Sequence, residues 1–201
     1  RNKELIATQR QFLSRYATDP ACSEVERSLA RLLRRSNDSL GAAAVLEAHW
    51  VRLGTKEDGP TAGREALSIY SSLNSTDTLN KMAALSEDML AKLPAGEPAT
   101  AAGLSAVDAH ERLSAWAKAN LAAGKLLAKS PPTSPQRLQQ LHARMGENYS
   151  RIGQRTNAIE SWRKALAVAN TTPRADIWSR LIEELFQTNP KPAELEVVVN
   201  E

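Results

Sequence analysis

The chain has 201 residues, of which 42% are hydrophobic and only 4% aromatic, and its 26 basic residues nearly balance 23 acidic ones. Its 32 alanines and 25 leucines favour helices and argue against a β-sandwich, a β-barrel and a doubly wound α/β fold. No run of 18 apolar residues occurs, so we expect no membrane span, and a net charge of +3 does not favour a nucleic-acid partner.

Apolar residues recur at helical spacing through the first half of the chain. The pattern predicts helices from about residue 3 to Asp19, from Ser23 to residue 36, from Ser39 to Gly54, from Pro60 to Leu73 and from Thr76 to Leu93. Ser23 and Glu26 match a capping box, in which the serine accepts a backbone N–H and the glutamate reaches back to the helix start. Gly54 stands where a helix C-terminus favours glycine.

The starts of alternate helices, near residues 3, 39 and 76, define a regular step along the chain. This step of about 36–37 residues is close to the period of helical-hairpin repeats. Such hairpins bury their apolar faces only by stacking on their neighbours. The same amphipathic pattern also permits a closed helical bundle, but the period favours the stack.

The second half of the chain opens with a stretch rich in Pro, Gly and Ala, residues 94–104, which predicts a linker. One long helix over 105–129 ends at the prolines of 130–135, and three more are predicted at about 135–152, 155–169 and 174–188. We therefore expect degenerate helical hairpins over residues 1–93, further hairpins with a capping helix over 105–190, and a tail over 191–201.

Residues 139–172 resemble one tetratricopeptide repeat. The 34-residue unit of that family has small residues where its two helices cross, a glycine at the turn and large apolar residues around the contact. The residues that match this pattern are Met145, Gly146, Tyr149, Gly153, Ala158, Ile159, Trp162, Ala165 and Leu166. A weaker echo runs from Leu46, Trp50 and Gly54 to Ala66 and Tyr70.

This resemblance implies an all-α fold in which antiparallel helical hairpins stack into a right-handed superhelix, an α-solenoid. In that family the first helix of each hairpin lines a concave groove that takes peptides or partner helices. The groove-facing residues of the helix over 139–152 would then be Gln140, Arg144, Glu147 and Arg151. Arg144 and Arg151 lie two helical turns apart on one face, so we expect both to meet an acidic ligand.

A second candidate site is a basic stripe formed by Arg27, Arg31, Arg34 and Arg35, which recur at helical spacing. A stripe of this kind could meet phosphates or an acidic protein. The same pattern is also typical of the solvated face of an amphipathic helix.

Residues suited to catalysis or metal binding are sparse. The histidines at 49, 110 and 142 lack metal-ligand spacing. His110 and Glu111 begin an HExxH motif, but Ser114 replaces its second histidine. The sequence also has no Gly-rich phosphate loop and no GxSxG motif. We therefore predict that the chain is not an enzyme and has no metal site, cofactor or small-molecule substrate.

These observations predict a scaffold or adaptor that binds a peptide or partner helix of another protein within a larger assembly. The second interpretation is a regulatory or targeting domain of a larger enzyme or of a secretion or export machine. Nucleic-acid association through the arginine stripe is a third and weaker one. The single cysteine fits the cytoplasm, which we prefer, and is equally compatible with a bacterial periplasm.

Overall fold

The computed structural model describes residues 2–169 and 174–187, and the structural statements below refer to these residues. Ten helices and no strands occur in these two ranges. The helices are α1 (Asn2–Arg15), α2 (Cys22–Arg35), α3 (Ser39–Leu53), α4 (Gly59–Leu73), α5 (Thr76–Lys92), α6 (Glu97–Arg112), α7 (Trp116–Lys129), α8 (Pro135–Arg151), α9 (Arg155–Leu166) and α10 (Ala175–Gln187). None of them is long and apolar enough to cross a membrane. The predicted tail, 191–201, lies outside the described residues.

The chain divides into two compact units, residues 1–109 and residues 110–201. In the N-terminal unit each of the helices α1 to α4 packs against the helix that follows it in sequence. In the C-terminal unit α7, α8 and α9 do the same. Pairwise packing of sequence neighbours is the tetratricopeptide-like arrangement, so the expected all-α fold of stacked hairpins is confirmed.

Local signals in the sequence fix several helix ends. The side chain of Asp38 accepts the backbone N–H of Gly41 at 2.8 Å and thereby caps α3. Asn74 ends α4 in a left-handed conformation with φ +49°, and Ser75 then opens α5 through a capping box with Thr78. These caps satisfy backbone groups that a helix leaves unpaired at its ends.

The expected capping box at the start of α2 is wrong. The helix begins at Cys22, one residue before Ser23, and its N-cap, Ala21, makes no side-chain capping hydrogen bond. Glu26 is buried on the inner face of α2, where it pairs with His49 and Arg52. The Glu26 carboxylate, which local spacing assigned to the helix end, therefore forms charged interactions between α2 and α3 instead.

The structure also differs from the sequence expectation between residues 94 and 129. Most of the expected linker is helical, because α6 begins at Glu97 and accepts Pro98 in its first turn. Its small residues pack closely inside the N-terminal unit, where Ala99 and Ala106 are fully buried. The expected single helix over 105–129 is interrupted between α6 and α7, where Ser114 adopts a positive φ of +55°. Few residues except glycine favour that conformation, so the sequence carries no signal for this break.

The hairpin formed by α8 and α9 contains the repeat motif. Gly153 takes φ +73° in the turn between the two helices. Gly146 lies against the indole of Trp162, so that a methyl group on Gly146 would be 2.5 Å from the indole nitrogen. The buried core of this unit joins α9 to α10 through Ala158, Trp162, Ala165, Ile177, Leu181 and Leu185, against which Tyr149, Ile159 and Leu166 also pack. The structure thus supports the repeat assignment with a close helix crossing.

Substitutions at this crossing test whether the glycine is required for close approach. Gly146→Ala should destabilise the chain by about 1–3 kcal/mol, because the added methyl meets Trp162. Trp162→Ala should cost about 3–5 kcal/mol, because it empties a buried site. In the Trp162→Ala background, Gly146→Ala should cost much less, since the clashing ring is gone. Urea unfolding of the four chains measures this coupling, and strictly additive losses would contradict the close contact.

Candidate partner-binding groove

A groove in the C-terminal unit runs between α8 and α10. Its volume is about 520 Å³, and its floor contains Ala143, Trp162 and Ile177, one residue from each of the three helices. The polar residues that line it are Gln140, Arg144, Glu147, Arg174, Asp176 and Arg180. The structure thus brings three of the four sequence-predicted groove residues, Gln140, Arg144 and Glu147, into one concave surface.

Arg144 is held in place by Glu111, which lies near the end of α6. Its guanidinium makes a two-pronged contact with that carboxylate, through Nε at 3.0 Å and Nη2 at 2.6 Å from Oε2. Asn148 donates from Nδ2 to the other oxygen of Glu111 at 2.8 Å. One third of the Arg144 side chain stays exposed at the groove. Its charge is therefore largely satisfied within the unit, and it serves to shape the groove wall.

The fourth predicted residue, Arg151, does not line the groove. Its guanidinium lies over the ring of Trp116, with Cζ 4.6 Å from the ring centroid, which is a cation–π contact. It also pairs with Glu147 at 3.1 Å, one helical turn earlier. Glu147 in turn lies 3.8 Å from Arg180 of α10, so this carboxylate links the two walls of the groove.

Two arginines of the groove, Arg174 and Arg180, were not among the sequence-predicted residues. Arg174 pairs with Asp176, and its hydrogen bond is the main reason why the pKa of Asp176 lies below its ordinary value. Among the described residues, Arg180 forms long ion pairs, 3.8 Å to Glu147 and 3.5 Å to Glu183, and its side chain is 56% exposed. A groove lined by α8 needs a second helix as its other wall, and α10 is the next helix on the same side as α8. The predicted helix over 174–188 was therefore the sequence signal for these two arginines.

A buried charge network in the N-terminal unit was also missed. His49 is fully buried, with Nδ1 2.6 Å from Glu26 and Nε2 2.9 Å from Asp58. Arg52 donates to Glu26 at 2.5 Å, and Arg27 lies 3.0 Å from Asp58. These five residues tie α2 and α3 to the start of α4. The available signal was Glu26, an acidic residue on the same helix face as Leu29 and Leu33.

The network shifts the pKa values of two of its members. The hydrogen bond with His49, helped by the nearby charges of His49 and Arg27, holds the pKa of Asp58 below its ordinary value. The hydrogen bond with Glu26 raises the pKa of Arg52 above its ordinary value. No group of three or more potential metal ligands occurs among the described residues.

Within the described part of the chain, one arginine of the basic stripe on α2 forms an ion pair and the other three form none. Arg27 is committed to Asp58 in the network. Together with Arg31 and Arg34 it lines a groove between α2 and α4. Arg35 is exposed and does not line that groove.

Comparisons with known proteins find a likeness in fold alone. No protein-family model and no curated protein matches the chain. Among solved structures it is similar to BtubC (BKLC) from P. vanneervenii, with a TM-score of 0.50 and 16% identity over 99% of this chain and 88% of that one. It is also similar to TTC0263, a thermophilic TPR protein in Thermus thermophilus, with a TM-score of 0.45 and 18% identity over 90% and 89% of the two chains.

The ten helices of the described residues define an all-α fold in which sequence neighbours pack pairwise. The likeness to BtubC is a likeness in fold alone and assigns no role to this chain.

The Asp58 interactions predict a pH dependence of stability. Because the folded pKa of Asp58 lies below the unfolded value of about 3.9, its carboxylate stabilises the folded chain above that pH. The stabilisation is lost as the pH falls through the folded pKa. Asp58→Asn should therefore lower the free energy of unfolding by about 1–2 kcal/mol at pH 7 and by much less at pH 2.

Urea unfolding between pH 2 and pH 7 measures this difference. Asp77→Asn is the matched control, because Asp77 is exposed in the first turn of α5 and belongs to no such network. If Asp58→Asn lost no more free energy of unfolding at pH 7 than at pH 2, the His49–Asp58 interaction would contribute nothing measurable.

Proposed function

We propose that this protein is a scaffold that binds a peptide or a partner helix in the groove between α8 and α10. The observation that carries the proposal is the groove itself, an open concavity of about 520 Å³ with apolar residues on its floor and paired charges along its walls. Peptide and helix recognition generally combines an apolar surface that accepts anchor side chains with polar groups that fix the register.

The charges of the groove favour a ligand with acidic side chains. Among the described residues, three arginines line it, and two acidic residues, Glu147 and Asp176, oppose them. Arg180 is the cation most available to a ligand, because its ion pairs are long and its side chain is more than half exposed. Arg144 contributes less, since two nitrogens of its guanidinium already donate hydrogen bonds to Glu111. The ligand carboxylate would therefore lie closest to α10.

Arg144 and Arg151 are both held by contacts inside the C-terminal unit, so neither is suited to a test of binding. Reversing Arg144 and Arg151 together would break the Glu111 ion pair and the Trp116 contact, so a loss of binding could result from a loss of structure. Arg180 is better suited to the test, because its exposed pairs contribute little to stability. Arg163 of α9 provides the control, since it is exposed and does not line the groove.

Peptides that bind the wild-type chain would be selected from a displayed library of random 12-residue sequences, and their affinities would be measured at two salt concentrations. Arg180→Glu should weaken the acidic peptides by about tenfold or more at low salt, because it reverses the most accessible charge of the groove. Arg163→Glu should leave those affinities unchanged. Melting curves of both variants serve as the control for folding.

Two results would contradict this assignment. Equal affinity for the wild type and Arg180→Glu, with unchanged melting, would place the binding surface elsewhere. Equal losses in Arg180→Glu and Arg163→Glu would mean that overall charge, and not this groove, governs the interaction.

A further inference from the structure

We propose that a second groove, in the N-terminal unit between α2 and α4, docks an acidic protein segment. One wall carries Arg27, Arg31 and Arg34 of α2, and the other carries Glu65 of α4. The volume is about 320 Å³, room for a few side chains of a bound segment. This surface is separate from the groove between α8 and α10, so the inference extends beyond the function proposed above.

Two arginines of this wall have side chains without a partner among the described residues. Arg31 and Arg34 are exposed and form no ion pair or hydrogen bond among the described residues. They lie one helical turn apart, so both guanidinium groups reach the same stretch of the groove. Arg27 is different, because its charge is already balanced by Asp58 at 3.0 Å. The available positive charge is therefore concentrated at Arg31 and Arg34.

Uncompensated arginines beside a concave surface favour carboxylates for two reasons. Opposite charges attract over a distance comparable to the Debye length, which raises the rate of encounter. At contact, the planar guanidinium matches a carboxylate with two parallel hydrogen bonds. A segment with two acidic side chains at helical or extended spacing would pair with Arg31 and Arg34 together.

The remaining lining residues favour a protein segment over a nucleic acid. Glu24 and Glu65 line the same groove and would repel a phosphate at every nucleotide of DNA or RNA, whereas a peptide can place its acidic side chains beside Arg31 and Arg34 alone. A peptide has backbone N–H groups, and often lysines, that can donate hydrogen bonds to these two carboxylates. The floor is apolar, formed by Ala30 and Leu46, and suits an aliphatic side chain of the bound segment.

The test uses the full chain and a fluorescein-labelled 16-residue peptide built from four Glu-Leu-Glu-Ala units. The matched probes are the same peptide with Gln in place of every Glu, and a labelled 20-nucleotide single-stranded DNA. The groove variant is Arg31→Glu with Arg34→Glu. The control variant is Arg15→Glu with Arg35→Glu, which makes the same change in net charge at exposed arginines outside the groove.

Fluorescence anisotropy should show that the glutamate peptide binds the wild type and the control variant alike, and that the groove variant binds at least about tenfold more weakly. The glutamine peptide should bind the wild type at least tenfold more weakly than the glutamate peptide. Melting curves should coincide for all three chains, since the altered arginines are exposed.

Four outcomes would overturn the proposal. The first is no binding of the glutamate peptide by the wild type up to millimolar concentration at low salt. The second is equal weakening by the groove and control variants, which would assign the effect to net charge. The third is DNA binding that matches or exceeds peptide binding and is lost in the groove variant, which would assign the surface to a polyanion. The fourth is a groove variant that melts like the wild type and binds the peptide equally well.

Discussion

Helices in this protein approach closely at positions where the side chain is a hydrogen atom or a methyl group. Gly146 faces the indole of Trp162, and Gly63 faces Met89, where an added methyl would lie 2.7 Å from the sulfur. Fully buried alanines such as Ala42, Ala66 and Ala158 occupy other contacts of this kind. Because a close-packed interior leaves no room for extra atoms, these small residues decide which helices can be neighbours. The stacking of hairpins depends on this constraint.

Several buried polar groups of the N-terminal unit satisfy each other across neighbouring helices. Trp50 and Tyr70 are fully buried, yet the indole donates to Asp88 at 2.8 Å and the phenol to Glu47 at 2.6 Å. The network around His49 follows the same rule, since each ring nitrogen faces a carboxylate. An unpaired buried donor or acceptor would cost more than a typical hydrogen bond gains. These contacts therefore specify which faces of the hairpins meet.

The same stacking produces grooves of one geometry. Two alternate helices form the walls, and the helix between them contributes to the floor: Leu46 of α3 lies between α2 and α4, and Trp162 of α9 lies between α8 and α10. A third groove, of about 500 Å³, lies between α4 and α6 with Met82 of α5 on its lining. Its lining includes four serines and one arginine, Arg64, whereas each of the first two grooves is lined by three arginines. The packing of the helices gives the grooves their shape, and the side chains on the walls give each groove its charge.

The sequence by itself determined features that depend on neighbouring residues: the helices other than α6 and α7, and the repeat that begins at residue 139. Helix propensity, capping and turn formation act within a few residues, so their signals survive without the fold. Only the tertiary structure decided that Glu26 pairs with His49, 23 residues away, and that Arg180 completes the groove begun by α8. Such contacts depend on how helices pack across long sequence separations. The sequence alone does not distinguish a glutamate that is buried in an ion pair from a glutamate that caps a helix.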